Sequence, residues 1–133
     1  MSQILTNLYL GDINTAEQNV DKNIIIINCA IEINSTRYDY KINLYDGKNN
    51  DDFDEEIDKV VKIIDEHMNN NKIVLVHCMA GASRSASVII YYLMKHHKFT
   101  FDGALTHVKG KRPIVNINKW FYNWFMKKKL TVV

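Results

Sequence analysis

One proline, Pro113, stands in the whole 133-residue chain. No Pro/Ser-rich linker and no internal repeat can be drawn. The chain therefore reads as one domain over residues 1–133, near the usual size of roughly 100–150 residues. Cysteine is nearly as scarce. Two thiols make no disulfide framework, and a domain of this length buries enough surface to need none. A reducing, cytoplasmic setting is expected. Charge of one sign is also lacking: a formal net charge of +2 supplies no broad basic field, so no nucleic-acid partner is expected. No apolar run approaches the roughly 20 residues that cross a bilayer, so no membrane span is expected. Met1 to Gly11 show no apolar signal core behind a charged lead. Cys/His sets at zinc spacing are missing. Gly103 to Lys111 lacks the Gly-Lys-Ser/Thr ending of a nucleotide P-loop. No metal and no cofactor are expected. What remains is ordinary globular composition, 47% hydrophobic and 24% charged.

The apolar residues fall in alternating strand and helix patterns. Leu8 to Leu10 predicts a short strand ending at Gly11, and Asn14 with Glu17 predicts a capping box opening a short helix. Ile24 to Ile27 is a β-branched run, expected as a strand buried on both faces. Tyr40 to Leu44 predicts another strand, and Asp46 to Asn50 a turn-rich loop. Phe53, Ile57, Val60, Val61 and Ile64 recur at helical spacing behind Asp51 and Asp52, which predicts an amphipathic helix with an acidic cap. Ile73 to Val76 predicts a third buried strand, followed by a helix over Ser85 to Met94. Thr100 should cap a helix ended by Gly110. Trp120, Phe121, Trp124 and Phe125 mark a last helix, its aromatics expected mainly in the core. The Lys127-Lys128-Lys129 run reads as a solvated helix end. The His96-His97 pair reads as solvent-exposed. The expected fold class is α/β: a single domain with a central, largely parallel sheet flanked by helices.

The chemistry is concentrated between Lys72 and Ile90. A strand feeds into His77-Cys78-Met79-Ala80-Gly81-Ala82-Ser83-Arg84-Ser85 and then a helix. Ligands in open α/β sheets bind beyond the carboxyl ends of strands. A tight loop leading into a helix N-terminus aims backbone N–H groups at an anion. Gly81 suits a turn with φ > 0 or a close approach, Ala80 and Ala82 leave the rim unobstructed, and Arg84 can give two parallel bonds to a phosphate. Cys78 opens this loop. A thiol beside an arginine and a helix N-terminus is favoured as the nucleophilic thiolate. Residues 78–84 thus form a candidate phosphate cradle with Cys78 as candidate nucleophile. His77 is expected to support the loop by bonding to its backbone. The leaving oxygen of a phosphate ester needs a proton. Asp46, Asp51, Asp52 and Asp54 are the nearby carboxyls in sequence, and Asp46 stands on a loop between a strand and a helix.

The nine residues 77–85 resemble the His-Cys-x-x-Gly-x-x-Arg-Ser loop of the protein tyrosine phosphatases. Their Ala-Gly-x-Ser-Arg-Ser form is similar to the small atypical dual-specificity phosphatases. Leu8-Tyr9-Leu10-Gly11, Tyr92-Leu93-Met94 and Arg112-Pro113-Ile114-Val115-Asn116-Ile117-Asn118 extend the likeness over most of the chain. Ile117 departs from the family pattern, standing where proline is usual. The resemblance implies a tyrosine phosphatase-like fold and a phosphorylated protein as substrate. It implies a cysteinyl-phosphate intermediate, Asp46 as general acid with Asp51 or Asp52 as substitutes, Ser85 stabilising the departing Cys78 thiolate, and Asn118 supporting the loop. Phosphoinositide or RNA 5′-triphosphate substrates are the enzymatic alternatives. A phosphopeptide-binding pseudophosphatase is the non-enzymatic one, against which Cys78, Arg84 and Asp46 all argue. Cys29, expected just after the first isoleucine strand, is a possible redox partner of Cys78 or an inert core thiol.

Overall fold

The structure, a computed structural model, describes residues 1–47 and 50–131, the last three of them by backbone alone. The described residues form β1 (Ser2–Leu5), β2 (Leu8–Gly11), α1 (Ile13–Gln18), β3 (Ile25–Ala30) and β4 (Tyr40–Leu44). They continue through α2 (Phe53–Asn69), β5 (Val74–His77), α3 (Arg84–His96), α4 (Phe101–Lys111) and α5 (Lys119–Thr131). One five-stranded sheet has the order β1-β2-β5-β3-β4. β2, β5, β3 and β4 run parallel, and β1 alone is antiparallel. The α/β sheet expected from the alternation of patterns is therefore present.

β5 lies in the middle of the sheet, and each of its residues Val74–His77 is buried. A parallel strand covered on both faces needs such a continuous apolar run. His77, its last residue, pairs with Gly11 of β2 and Asn28 of β3. The strand therefore delivers the chain to the sheet edge at Cys78. α3 packs on β2, β3 and β5 and is flanked by α2 and α4. Phe53 at the start of α2 takes Trp120, Phe121 and Trp124 of α5 edge-on, with centroids 4.7–5.6 Å apart. Phe121, Trp124 and Phe125 are buried, as expected for core aromatics.

Several local expectations differ from what the chain does. α1 is capped by Asp12, whose Oδ1 accepts from the Thr15 backbone N–H and hydroxyl at 2.8 and 2.9 Å, so Asn14 falls inside the first turn. β3 starts at Ile25 and runs on through Cys29 to Ala30, because Asn28 and Cys29 are as buried as the isoleucines. Asp52 holds the N-cap position of α2 without a side-chain cap bond. Instead the Phe53 N–H donates to Asn50 O at 3.1 Å. Thr100 caps α4 as expected, but the helix passes through Gly110 to Lys111. The histidine pair is not simply solvated. His97 Nε2 lies 3.0 Å from the Tyr92 hydroxyl, and His96 Nδ1 lies 3.5 Å from Asp65 of α2. Lys128 pairs with Asp54 at 3.3 Å and lies over the Trp124 ring. The side chain of Lys129, and residues 48 and 49 of the expected turn, lie outside the described residues.

Candidate active site

The loop from Cys78 to Ser83 joins β5 to α3, and its shape follows from where its carbonyls go. Met79 O accepts from the Ile13 N–H at 3.1 Å, and Ala82 O from the Asn116 N–H at 2.8 Å. Arg112 donates from Nη2 to Ala80 O at 3.0 Å and from Nε to Gly81 O at 2.9 Å. Four consecutive carbonyls are thus held from outside the loop. In a trans peptide the N–H points opposite to the C=O, so the N–H groups of Ala80, Gly81, Ala82 and Ser83 point the other way, inward. Gly81 has φ +66°, and a Cβ there would meet Gly11 O at 2.5 Å. Both the conformation and the close approach require glycine. The Ser83 hydroxyl accepts from the Asn118 N–H at 2.8 Å.

These inward donors, with the N-terminus of α3, surround a cleft of about 240 Å³ lined by Cys78, Met79, Ala80, Ala82, Ser83, Arg84, Asp46 and Glu32. Cys78 is buried at its floor, with Sγ 3.0 Å from the Ser85 hydroxyl. Arg84 is buried. Burial works most strongly against its charge, but the hydrogen bonds to Glu32 together with the nearby charges of Cys78, Glu32 and Asp46 outweigh it and favour the charged guanidinium. Asp46 is exposed on the loop after β4, and its Oδ1 accepts from Asn118 Nδ2 at 3.0 Å. Asn118 Oδ1 in turn accepts from the Phe121 N–H of α5. Ile117 does not disturb this arrangement, since both side-chain bonds of Asn118 form. His77 is fully buried, and its Nδ1 donates to Cys78 O at 3.2 Å. Burial pushes its imidazole pKa down, which fits a neutral ring bracing the backbone.

The structure brings Cys78, Arg84, Ser85 and Asp46 together, with His77 and Asn118 behind them. Asp51 and Asp52 line a different hollow with Tyr45 and Asn50. Cys29 lies in β3, fully buried, beside the β5 terminus. Among the described residues no group of three or more His, Cys, Asp or Glu side chains could hold a metal. No described helix is long and apolar enough to cross a membrane.

A family model described as the dual specificity phosphatase catalytic domain matches residues 8–130. The chain belongs to the dual specificity phosphatase family. It is 35% identical over 127 residues to dual specificity protein phosphatase 1 of Arabidopsis thaliana, covering 90% of this chain and 64% of that protein. Human dual specificity protein phosphatase 21 is 30% identical over 131 residues, with 91% of this chain and 67% of that protein covered. The solved structure of human DUSP28 superposes with a TM-score of 0.85 over 99% of this chain and 97% of that one, at 21% identity. The tyrosine phosphatase-like fold expected of the chain is therefore present.

Two residues of this phosphatase domain escaped the sequence reading of the site. Arg112 was visible only as part of a resembling segment, and its hold on Ala80 and Gly81 depends on α4 returning to the loop. Glu32 carries no local signal at all: it is a carboxylate just past β3, 52 residues from the Arg84 it binds.

Proposed function

We propose that this domain hydrolyses phosphotyrosine and phosphoserine/phosphothreonine in proteins through a cysteinyl-phosphate intermediate. The observation carrying this is the buried Cys78 sulfur in a cleft lined by Arg84 and by a loop whose four consecutive carbonyls, Met79 to Ala82, are held from outside. In the first step the Cys78 thiolate attacks phosphorus, an S–P bond forms, and the ester P–O bond breaks. Asp46 gives the leaving oxygen its proton, and the Asn118 bond to Oδ1 leaves Oδ2 to carry it. In the second step water attacks phosphorus, and the Asp46 carboxylate takes its proton. The S–P bond breaks and inorganic phosphate leaves. The Ser85 hydroxyl, 3.0 Å away, supports the sulfur as it regains negative charge. Positioning and charge stabilisation supply most of the acceleration in phosphoryl transfer.

The wall of the cleft carries two carboxylates, Glu32 and Asp46, which disfavours substrates with several phosphates close together. That supports a protein phosphoester over a phosphoinositide or an RNA 5′-triphosphate. The test is turnover of p-nitrophenyl phosphate in excess chelator, followed by phosphopeptides carrying each phosphorylated residue. Release of phosphate by the native chain and none by Cys78→Ser is expected, because a serine hydroxyl is far less nucleophilic than a thiolate. Activity that vanishes in chelator and returns with Mg²⁺ would overturn the metal-free reading. Hydrolysis of phosphotyrosine alone would narrow the domain to a tyrosine phosphatase.

A further inference from the structure

A second hollow, of about 270 Å³, opens beside the catalytic cleft and is no smaller than it. It lies against β4, the strand that ends the sheet. Tyr45 lines this hollow, and the next residue, Asp46, lines the cleft. One peptide unit therefore divides the two. The divider is fixed in place. Asn50, only 5% exposed, donates from Nδ2 to Tyr45 O at 3.0 Å, and its Oδ1 accepts from the Tyr45 N–H at 2.9 Å.

The lining of the hollow has two chemistries. Ile42, Leu44 and Phe53 supply buried hydrocarbon. Asp51, Asp52 and Glu56 supply carboxylates around the start of α2. Acidic residues suit a helix N-terminus, yet Asp52 makes no side-chain cap bond. Among the described residues, the cation paired with any of the three is Lys59, an exposed partner 3.7 Å from Glu56. Hydrocarbon beneath unneutralised carboxylates matches a lysine or arginine side chain. Its aliphatic stem lies along apolar surface, while its charged head stays at the wet end. An acidic side chain would be repelled there, and a purely apolar one would leave the carboxylates unanswered.

We propose that this hollow binds a lysine or arginine side chain of the phosphoprotein substrate, close in sequence to the phosphorylated residue. The inference rests on the phosphatase reading and adds to it a preference for the residues around the phosphate. An extended chain advances about 3.3–3.6 Å per residue. With phosphate over Cys78, a residue one to three places away thus passes the Tyr45 divider. The ion pair forms at the surface, so its contribution is modest and falls with salt.

The experiment uses phosphotyrosine peptides in an alanine frame. One lysine is moved from three residues before the phosphotyrosine to three after it, and kcat/KM is measured at low salt. A preference of about three- to tenfold over the lysine-free peptide is expected, the worth of one or two exposed ion pairs. It should be confined to one or two neighbouring positions and be lost when that lysine is acetylated. Glu56→Lys should abolish or reverse the preference there. The same variant should turn over p-nitrophenyl phosphate, which has no flanking residues, within about twofold of the native rate, since a screened surface charge acts weakly on it. Asp51→Asn combined with Asp52→Asn is read as the same ratio of peptides, in which any change in the chemical step cancels. Its melting temperature reports separately on α2. Equal preference at every position would mean general attraction to an acidic wall and would overturn the proposal. So would the absence of a lysine preference, or one that survives Glu56→Lys. Should the native chain not turn over p-nitrophenyl phosphate, the phosphatase reading fails, and fluorescence anisotropy with the same peptides still tests the hollow.

Discussion

Asp46 and Asn118 are 72 residues apart in the chain, and one 3.0 Å bond joins them. That bond gives an exposed loop carboxylate a preferred direction, which general acid catalysis requires. Asp46→Asn is expected to slow alkyl phosphate turnover by about 10²–10⁴-fold, the usual range for one acid. The loss should shrink for esters with acidic phenol leaving groups, which need less help. A series of aryl phosphates of graded acidity checks this, and equal losses throughout would point to another acid. His77 makes a pH prediction. Burial lowers its pKa in the folded protein, and its Nε2 is buried without a hydrogen-bond partner. In the unfolded chain a histidine titrates near 6.5. As pH falls through that value the unfolded state takes up a proton that the native state resists, so this contribution to stability is present above the unfolded pKa and lost in acid. Melting curves between pH 7 and 5 should therefore fall less steeply for His77→Gln than for the native chain. Parallel slopes would mean that His77 is not held neutral. At this scale the sequence shows the residues that lie consecutively. Cys78, Arg84 and Ser85 announce themselves within one loop, and Glu32 does not, because its role exists only once β3 and α3 have met.

The connection from β5 to α3 works as a unit because its carbonyls are held from other elements. Gly81→Ala would place a Cβ 2.5 Å from Gly11 O at a φ of +66°. The left-handed conformation alone costs an L residue about 1–2 kcal/mol, and the overlap with fixed backbone adds to it. Loss of both melting temperature and turnover is expected. A variant that matches the native protein in both would show that the loop can relax at no cost to the site. The β3–β5 pairing has a second result. Asn28 pairs with His77 in register, and the next residues are Cys29, still within β3, and Cys78, one residue past the end of the neighbouring parallel strand β5. Such strands lie about 4.8 Å apart, within the Cα range that a disulfide spans. Peroxide is expected to convert Cys78 to sulfenic acid, which condenses with the Cys29 thiol to a disulfide and water. Burial raises the Cys29 pKa, as does the charge of Cys78. Since the thiolate is the attacking form, capture should be slow. Mass spectrometry should find a linked peptide that dithiothreitol removes with recovery of activity. Irreversible sulfinic acid at equal rates with and without Cys29→Ala would discard the idea.

Across the whole molecule, the strands buried on both faces were readable because parallel sheets impose continuous apolar runs. Ile25–Ala30 and Val74–His77 both carry that pattern. β1 was not, since Ser2–Leu5 has one buried residue and an alternating, mixed exposure, and its antiparallel pairing with β2 is a tertiary choice. The capping error at α1 has the same origin. Asn14 and Asp12 are equally good caps by type, and only the position where β2 ends selects Asp12. Arg112 links these distant parts. Two of its nitrogens hold Ala80 and Gly81, and the third, Nη1, donates to the Ser2 hydroxyl at 3.1 Å. Nearby, His107 Nε2 lies 2.8 Å from Ile4 O. The antiparallel first strand thus forms part of the outer hoop around the phosphate loop, although it lies at the opposite edge of the sheet from β4. Occupancy of the cradle should then be legible far from it. Amide protons of the first strand would exchange with deuterium more slowly when phosphate is bound, and a reporter dye joined ahead of Ser2 would sit one side chain away from the loop it reads.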